Sequence, residues 1–283
     1  MPTIEDTLQD LFDALAKGEL IPYLGPGLLT LVPDCPLPGS QEKLAALLAA
    51  QVTVPHKIRN RLTATAQFIE NFKHRKSLVQ LMQGAFSATV PPLPLQQVLA
   101  GMPEIPMIVA LWYDDAMRSA MLASGRDDWG QVQGLSQSEH FGTWFQYYDG
   151  SGQPVQESIA PSWNTLLYQP IGAHAPAANY LVSDSDFVEV LTEIDIQTPI
   201  PAHVQALRQG RHFLFIGCRF NDQLQRSFAH QITKRSSARH WAVLTETPSR
   251  NEQRFLEEHG IEVLPMATAD FSALLCGQLG LPV

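Results

Sequence analysis

Two glycine-containing loops hold the residues of this sequence that are best suited to ligand chemistry. Gly25 and Gly27 follow a short apolar run, and Gly217 opens a second loop that ends at Asn221 and Asp222. Glycine lets a ligand approach the backbone closely, and backbone N–H groups at a helix start bind phosphate. Asn221 and Asp222 also suit the ordinary role of helix caps. Together the two loops predict a binding site for a nucleotide-type ligand at Gly25, Gly27, Gly217, Asn221 and Asp222.

Three further features carry side chains that could do chemistry. Asp114 and Asp115 form a carboxylate pair, but capping of the helix that follows explains Asp114 more simply. Cys218 has no histidine beside it in the pattern, so we interpret it as a small buried thiol and not as a nucleophile. His174 is a candidate general base only if its loop brings it within hydrogen-bond reach of a substrate.

Composition excludes several functional classes. The 283 residues carry a formal net charge of −9, which argues against binding to nucleic-acid backbones. Cys35, Cys218 and Cys276 are too few and too far apart for a four-cysteine zinc site. Since the sequence has neither a long apolar run nor a basic start, we expect no membrane span and no ordinary signal peptide. These features predict a cytoplasmic protein that binds no metal. We make no prediction of its oligomeric state.

Strands must alternate with helices to position the two loops. Continuous apolar runs predict strands at 20–24, 106–112, 213–217, 241–244 and 261–264. Helical spacing of apolar residues predicts helices between them, including 4–17 and a long helix at 60–85. This alternation is typical of an α/β fold with a Rossmann-like, doubly wound parallel sheet and helices on both faces. We interpret residues 1–283 as a single domain.

Residues 124–165 differ in composition from the rest of the chain. They are polar, rich in aromatic residues, and contain a predicted hairpin turn at 149–152. We interpret the segment as an inserted aromatic-rich lobe. Most of its aromatic side chains are expected to form a small core, with one or two exposed, although Trp and Tyr are also enriched where proteins bind partners.

The order of these motifs resembles the sirtuin-like family, the bacterial relatives of sirtuins. The first loop resembles the family's Gly-Ala-Gly loop, and the second resembles its strand, glycine and Asn-Asp helix start. Residues 108–115 resemble its strand ending in Thr-Thr-Asn-Tyr-Asp, and residues 168–172 stand where it has His-Gly. The likeness extends over nearly the whole chain, except for 50–105 and 124–165. It implies a cleft for NAD without the zinc-bearing small domain of classical sirtuins.

At the positions to which the family assigns catalysis, this sequence departs from the pattern. Trp112 stands in place of the asparagine that orients water or ribose, and Ile171 in place of the histidine that acts as general base. Leu29 replaces a small hydroxyl residue, and Pro26 removes one backbone N–H from the phosphate loop. The resemblance therefore predicts no catalytic residues, with Trp112, Ile171 and Leu29 as degenerate positions.

We therefore expect a non-catalytic sirtuin-like pseudoenzyme that binds another protein and has no cofactor. Because sirtuin-like proteins occur beside nitrogenase genes, a nitrogenase-associated factor is one candidate. Two alternatives stay open. One is an NAD-hydrolysing enzyme of the phage-defence type, with His174 as a replacement base; the other is a sensor that binds NAD or ADP-ribose through residues 217–222.

Overall fold

A nine-stranded sheet organises the protein, and one of its interior strands leads into the first glycine loop. The computed structural model describes residues 3–193 and 199–278. The strand order is β11-β10-β9-β1-β2-β6-β3-β4-β5. All neighbours from β11 to β3 are parallel, whereas β4 and β5 add an antiparallel edge. The strands of this sheet are β1 Leu20–Leu24, β2 Met107–Ala110, β3 Trp129–Gly134, β4 Phe145–Asp149, β5 Pro154–Val155, β6 Thr165–Gln169, β9 His212–Ile216, β10 His240–Val243 and β11 Ile261–Leu264.

Helices cover the sheet, and a two-stranded ribbon of β7 (Gly172–Ala173) and β8 (Asn179–Tyr180) follows β6. The α-helices are α1 Ile4–Ala16, α2 Gln41–Gln51, α3 Leu62–Ala85, α4 Pro94–Ala100, α5 Ala116–Ala123, α6 Asp184–Glu193, α7 Ala202–Arg208, α8 Gln223–Thr233, α9 Arg250–Glu258 and α10 Thr268–Gln278. The predicted Rossmann-like α/β architecture is thus confirmed. Within the described ranges, no helix is both long enough and apolar enough to cross a bilayer.

Strand β1 shows why both faces of the sheet must be covered. All five of its residues are buried. Ile21 and Tyr23 belong to one hydrophobic core, whereas Leu20 and Leu24 belong to the other. Because side chains alternate across a strand, these two cores lie on opposite faces of the sheet. The continuous apolar run is therefore explained by burial on both faces.

The prediction of one continuous helix over 60–85 is wrong in one respect. Helix α3 contains a break at His74, whose φ of 70° and ψ of 154° are not helical. That conformation is essentially restricted to glycine and costs a larger residue on the order of 1–3 kcal/mol. Directly after the break, Arg75 pairs with the fully buried carboxylate of Asp186 at 2.8 Å. Hydrophobic spacing could not predict the break, because its partner lies in α6.

The aromatic segment 124–165 continues the main sheet through β3, β4 and β5. The hairpin turn predicted at 149–152 is confirmed, since the N–H of Gly152 donates to the carbonyl of Asp149 between β4 and β5. Trp129, Tyr147 and Tyr148 are buried, and Phe141 is 95% exposed. This agrees with the interpretation that most of the aromatic side chains are core and few are exposed. The single-domain boundaries stay a prediction.

Candidate functional site

The sheet reverses its direction of growth at β1, and both glycine loops lie at this point. From β1 the chain continues to β2 on one side, and it returns later to β9 on the other. In open parallel sheets, ligands bind beyond the carboxyl ends of the strands at such a reversal. Leu24 pairs with Ile216 in the last register of β1 and β9. The first loop therefore lies directly beside the second.

Close packing of the two loops explains the glycines. The N–H of Gly25 donates to the carbonyl of Ile216, and the N–H of Gly27 donates to that of Gly217, both at 2.9 Å. A Cβ on Gly25 would lie 2.5 Å from the Gly217 oxygen, and one on Gly27 would lie 2.7 Å from it. Gly217 itself has a φ of +67°. Any side chain at positions 25 or 27 would thus force the loops apart.

The same contacts occupy the backbone donors that a phosphate would need. Pro26 has no N–H, and the N–H of Leu28 donates to the carbonyl of Gly25 at 3.3 Å. Positions 25–28 therefore direct every N–H that they possess to a backbone oxygen. The glycines at 25 and 27 serve contact between loops, and a phosphate could gain their donors only if the loops separated.

In the second loop, the two candidate polar residues have different roles. Asp222 is the N-cap of α8, because its carboxylate accepts hydrogen bonds from Leu224 N–H at 2.8 Å and Gln225 N–H at 3.1 Å. Asn221 is exposed. The thiol of Cys218 is buried and directed at the carbonyl of Tyr23. Burial raises the pKa of Cys218 far above its ordinary value, so the thiol stays protonated and unreactive.

An open cleft of about 270 Å³ lies beside the second loop. Gly27, Gly217 and Arg219 line one wall, and the residues after β10, including Glu246, line the other. Arg219 and Glu246 form an ion pair at 2.8 Å across exposed side chains. Sequence reasoning missed the wall after β10, although its position at the end of a parallel strand was a usable signal.

Glu252 is a second acidic group in this cleft and is almost fully buried. Burial raises its pKa, but hydrogen bonds from the Ser249 hydroxyl and from backbone N–H groups of Ser249 and Phe220 outweigh that effect. The net result is a pKa below the ordinary value for glutamate. The carboxylate is therefore charged at neutral pH, and it already accepts hydrogen bonds from within the protein.

On the other side of β1, beside β2, almost no space is left. A cavity of about 20 Å³ is lined by Leu29, Trp112 and Asp114, among others. Trp112 is 4% exposed, and its indole N–H donates to the carbonyl of Pro38 at 2.8 Å. Its ring also contacts Phe86 and Tyr113. This volume is about that of one water molecule, so the indole fills the place with its own hydrogen bond satisfied.

The structure brings neither the degenerate position Ile171 nor the possible replacement base His174 to this cavity. Ile171 is buried and does not line it, and the Ile171 carbonyl accepts a hydrogen bond from Leu181 N–H at 2.9 Å. The His174 ring lies 3.0 Å from the Tyr180 hydroxyl through Nδ1, and His174 does not line the cavity either. In the described part of the chain, no group of three or more His, Cys, Asp or Glu side chains is placed to hold a metal ion.

Asp114 is the titratable group that faces the small cavity. Its carboxylate accepts a hydrogen bond from the N–H of Ala116, the first residue of α5, at 3.0 Å. Asp115 is the N-cap residue of this helix and makes no side-chain cap hydrogen bond, so Asp114 satisfies a helix-start N–H without being the predicted N-cap. Burial raises the pKa of Asp114 to about 6, because it outweighs the lowering effect of the hydrogen bond from Ala116, and the negative charge of Asp115 adds a smaller upward contribution. A carboxyl with such a pKa changes charge close to neutrality, and sequence alone gave no signal for this.

Comparison with known proteins agrees with this geometry. A family model described as a SIR2-like domain matches residues 106–264, which is more than half of the chain. The match extends from the start of β2 to the end of β11 and includes the positions of Trp112, Ile171 and Gly217. The first glycine loop lies before it. No curated protein matches the chain.

The loop contacts predict the effect of a methyl group at Gly27. We expect Gly27→Ala to destabilise the ligand-free protein by about 2 kcal/mol or more, since its Cβ would overlap a backbone oxygen. Gly84→Ala is the matched control: a Cβ at this helical position meets nothing within 4 Å, so it should stabilise by about 1 kcal/mol. Thermal unfolding without ligand measures both. Equal stability of Gly27→Ala and wild type would contradict the packing role.

The raised pKa of Asp114 predicts a pH-dependent stability. Above pH 6 the folded protein must bury a carboxylate, and as pH falls towards 4 the folded state takes up a proton that the unfolded state does not. Asp114→Asn removes this titration and keeps an acceptor for Ala116. We compare the free energy of unfolding of this variant with that of wild type at pH 4 and at pH 8. Because Asp114 retains some contact with water, we expect the difference to shift in favour of the variant by about 1–2 kcal/mol between pH 4 and pH 8. Denaturant unfolding at both pH values, with the exposed Asp127→Asn as control, tests this; a pH-independent difference would refute it.

Proposed function

The chain belongs to the SIR2-like family, and we propose that it acts as a non-catalytic member that binds another protein. The observation that carries this proposal is the Trp112 indole, which fills the end of the cleft beside β2 and leaves about 20 Å³. A nicotinamide ring needs far more room than one water molecule. Removing the indole would break its hydrogen bond to Pro38 and open a cavity in a packed core.

The absence of a histidine among the described residues that line the small cavity supports the same proposal. Ile171 has no group that can accept a proton, and the His174 imidazole is engaged with the Tyr180 hydroxyl away from the small cavity. A general base must reach the proton that it removes, directly or through one water. The proposed hydrolase of the phage-defence type would need both a vacated Trp112 site and a moved His174.

Exposed aromatic side chains support binding to a protein. Phe72 is 67% exposed and Phe141 is 95% exposed. Aromatic residues are enriched at protein interfaces, so these two side chains are available for contact with a partner. A nitrogenase-associated factor is one candidate role for this chain, which the family resemblance alone suggests.

The open cleft beside Gly217 favours a second candidate function, a sensor for the adenosine part of NAD or ADP-ribose. Its volume of about 270 Å³ approaches that of small-ligand sites. The exposed carboxylate of Glu246 can accept hydrogen bonds from ribose hydroxyls. Calorimetry with adenosine, ADP-ribose and NAD tests this role. Micromolar binding of ADP-ribose together with no cleavage of NAD supports the sensor. Heat changes no larger than those of dilution reject it.

The proposal predicts that restoring the family residues does not restore chemistry. We expect Trp112→Asn with Ile171→His to release no nicotinamide from NAD above the buffer rate, because neither the occupied donors of the first loop nor the position of residue 171 is changed. Chromatographic measurement of nicotinamide checks this. Circular dichroism must show that the double variant is folded, and Trp112→Phe, which conserves bulk, is the control for folding. Nicotinamide release by the folded double variant would contradict the proposal.

A further inference from the structure

A groove between α8 and α9 shares no lining residue with the cleft or with the small cavity described above. The helices follow the neighbouring parallel strands β9 and β10, and right-handed crossovers place both on one face of the sheet. Between them is a surface groove of about 420 Å³. It is lined by Gln223, Arg226, Ser227 and His230 of α8, by Asn251, Arg254, Phe255 and Glu258 of α9, and by His259.

Both walls of the groove repeat the same helical spacing. The α8 residues occupy positions i, i+3, i+4 and i+7 from Gln223, and the α9 residues occupy the same positions from Asn251. Residues at this spacing form one stripe along a helix, with successive turns about 5.4 Å apart. Arg226 and Arg254 stand at equivalent places on the two stripes. The groove therefore offers polar groups at intervals of one helical turn.

The groove is rich in hydrogen-bond donors and has few carboxylates. Among described residues, the Arg226 guanidinium donates to the Phe220 carbonyl and makes no other hydrogen bond. A guanidinium has five N–H donors, so most of its donors stay available. Arg254 is 78% exposed and pairs with Glu258 at 2.7 Å. Glu258 is the only carboxylate among the lining residues.

Two histidines complete the floor. The ring of His259 lies 4.5 Å from that of His230 and 4.5 Å from that of Phe255. Neither imidazole makes a hydrogen bond with the described residues. Each imidazole carries at least one N–H donor. Phe255 itself is buried, so the accessible floor is polar.

We propose that this groove binds an acidic helical segment of a partner protein, with partner carboxylates one turn apart meeting Arg226 and Arg254. This rests on the proposed function as a binding protein and names the chemistry of the partner. Charge complementarity carries it, since two guanidiniums face one carboxylate in a protein of net charge −9, and the two imidazoles add uncharged N–H donors. The net charge of −9 makes nucleic acid a less suitable occupant of this groove than an acidic peptide of a few charges.

Fluorescence anisotropy with a labelled, alanine-rich peptide of about 15 residues, long enough to form helix, tests the proposal. The peptide carries glutamates at i, i+3, i+4 and i+7, and a glutamine version is the control ligand. We expect the glutamate peptide to bind wild-type protein, with weaker binding at high salt because of screening. Absence of binding, or equal binding of the glutamine peptide, overturns the proposal.

Three variants locate the binding. Arg254→Gln should weaken it about tenfold, because a charge-assisted hydrogen bond is lost from an exposed side chain that the fold does not need. Glu258→Gln should tighten it about threefold, because repulsion is removed and Arg254 is freed. Arg250→Gln, on the same helix but outside the groove, should change it less than about twofold. The proposal that the peptide binds in this groove is refuted if Arg250→Gln weakens peptide binding as much as Arg254→Gln does. It is also refuted if Glu258→Gln weakens peptide binding.

The test is separable from that of the proposed function. Nicotinamide release from NAD would overturn the non-catalytic role and leave peptide binding unchanged. If the peptide does not bind and no nicotinamide is released, only the proposal that the groove binds an acidic helix is overturned. Tighter competition by a single-stranded oligonucleotide or by inorganic phosphate than by the glutamate peptide would assign the groove to a different anion and also overturn the proposal.

Discussion

Two backbone hydrogen bonds between the glycine loops constrain everything around the candidate site. They join Gly25 to Ile216 and Gly27 to Gly217 at the reversal point of the sheet. Because they need direct backbone contact, they require glycine at all three glycine positions and leave no room for a phosphate between the loops. The same residues that predict nucleotide binding are thus accounted for by packing. The open cleft is displaced towards β10, and the side of β2 is filled by Trp112.

The sequence predicted the scaffold well, because the physical signal for each central strand is local. A run such as Phe213–Ile216 is apolar at every position since both faces of the sheet are covered. Trp112, predicted as the last residue of its strand, lies just beyond Ala110, where β2 ends. The aromatic segment was recognised by composition, but its addition to the main sheet depends on pairing of β3 with β6, which is distant in sequence.

The parts that could not be predicted depend on contacts between distant residues. The break at His74 is tied to a buried Asp186 that also accepts hydrogen bonds from Val182 and Ser183 N–H. The raised pKa of Asp114 follows from burial that no local pattern reveals. Equally, the donors of positions 25–28 looked available in sequence and are occupied in the fold. In each case the missing information is which partner a polar group meets.

The central claim is that a SIR2-like fold has kept its frame while its cleft beside β2 has been filled. Nicotinamide release from NAD by the purified wild-type protein, followed over hours and compared with a heat-denatured sample, tests this claim most directly. The account predicts equal rates for both samples. Release that saturates with NAD concentration in the native sample alone would mean that Trp112 leaves its position during turnover, and it would contradict the account.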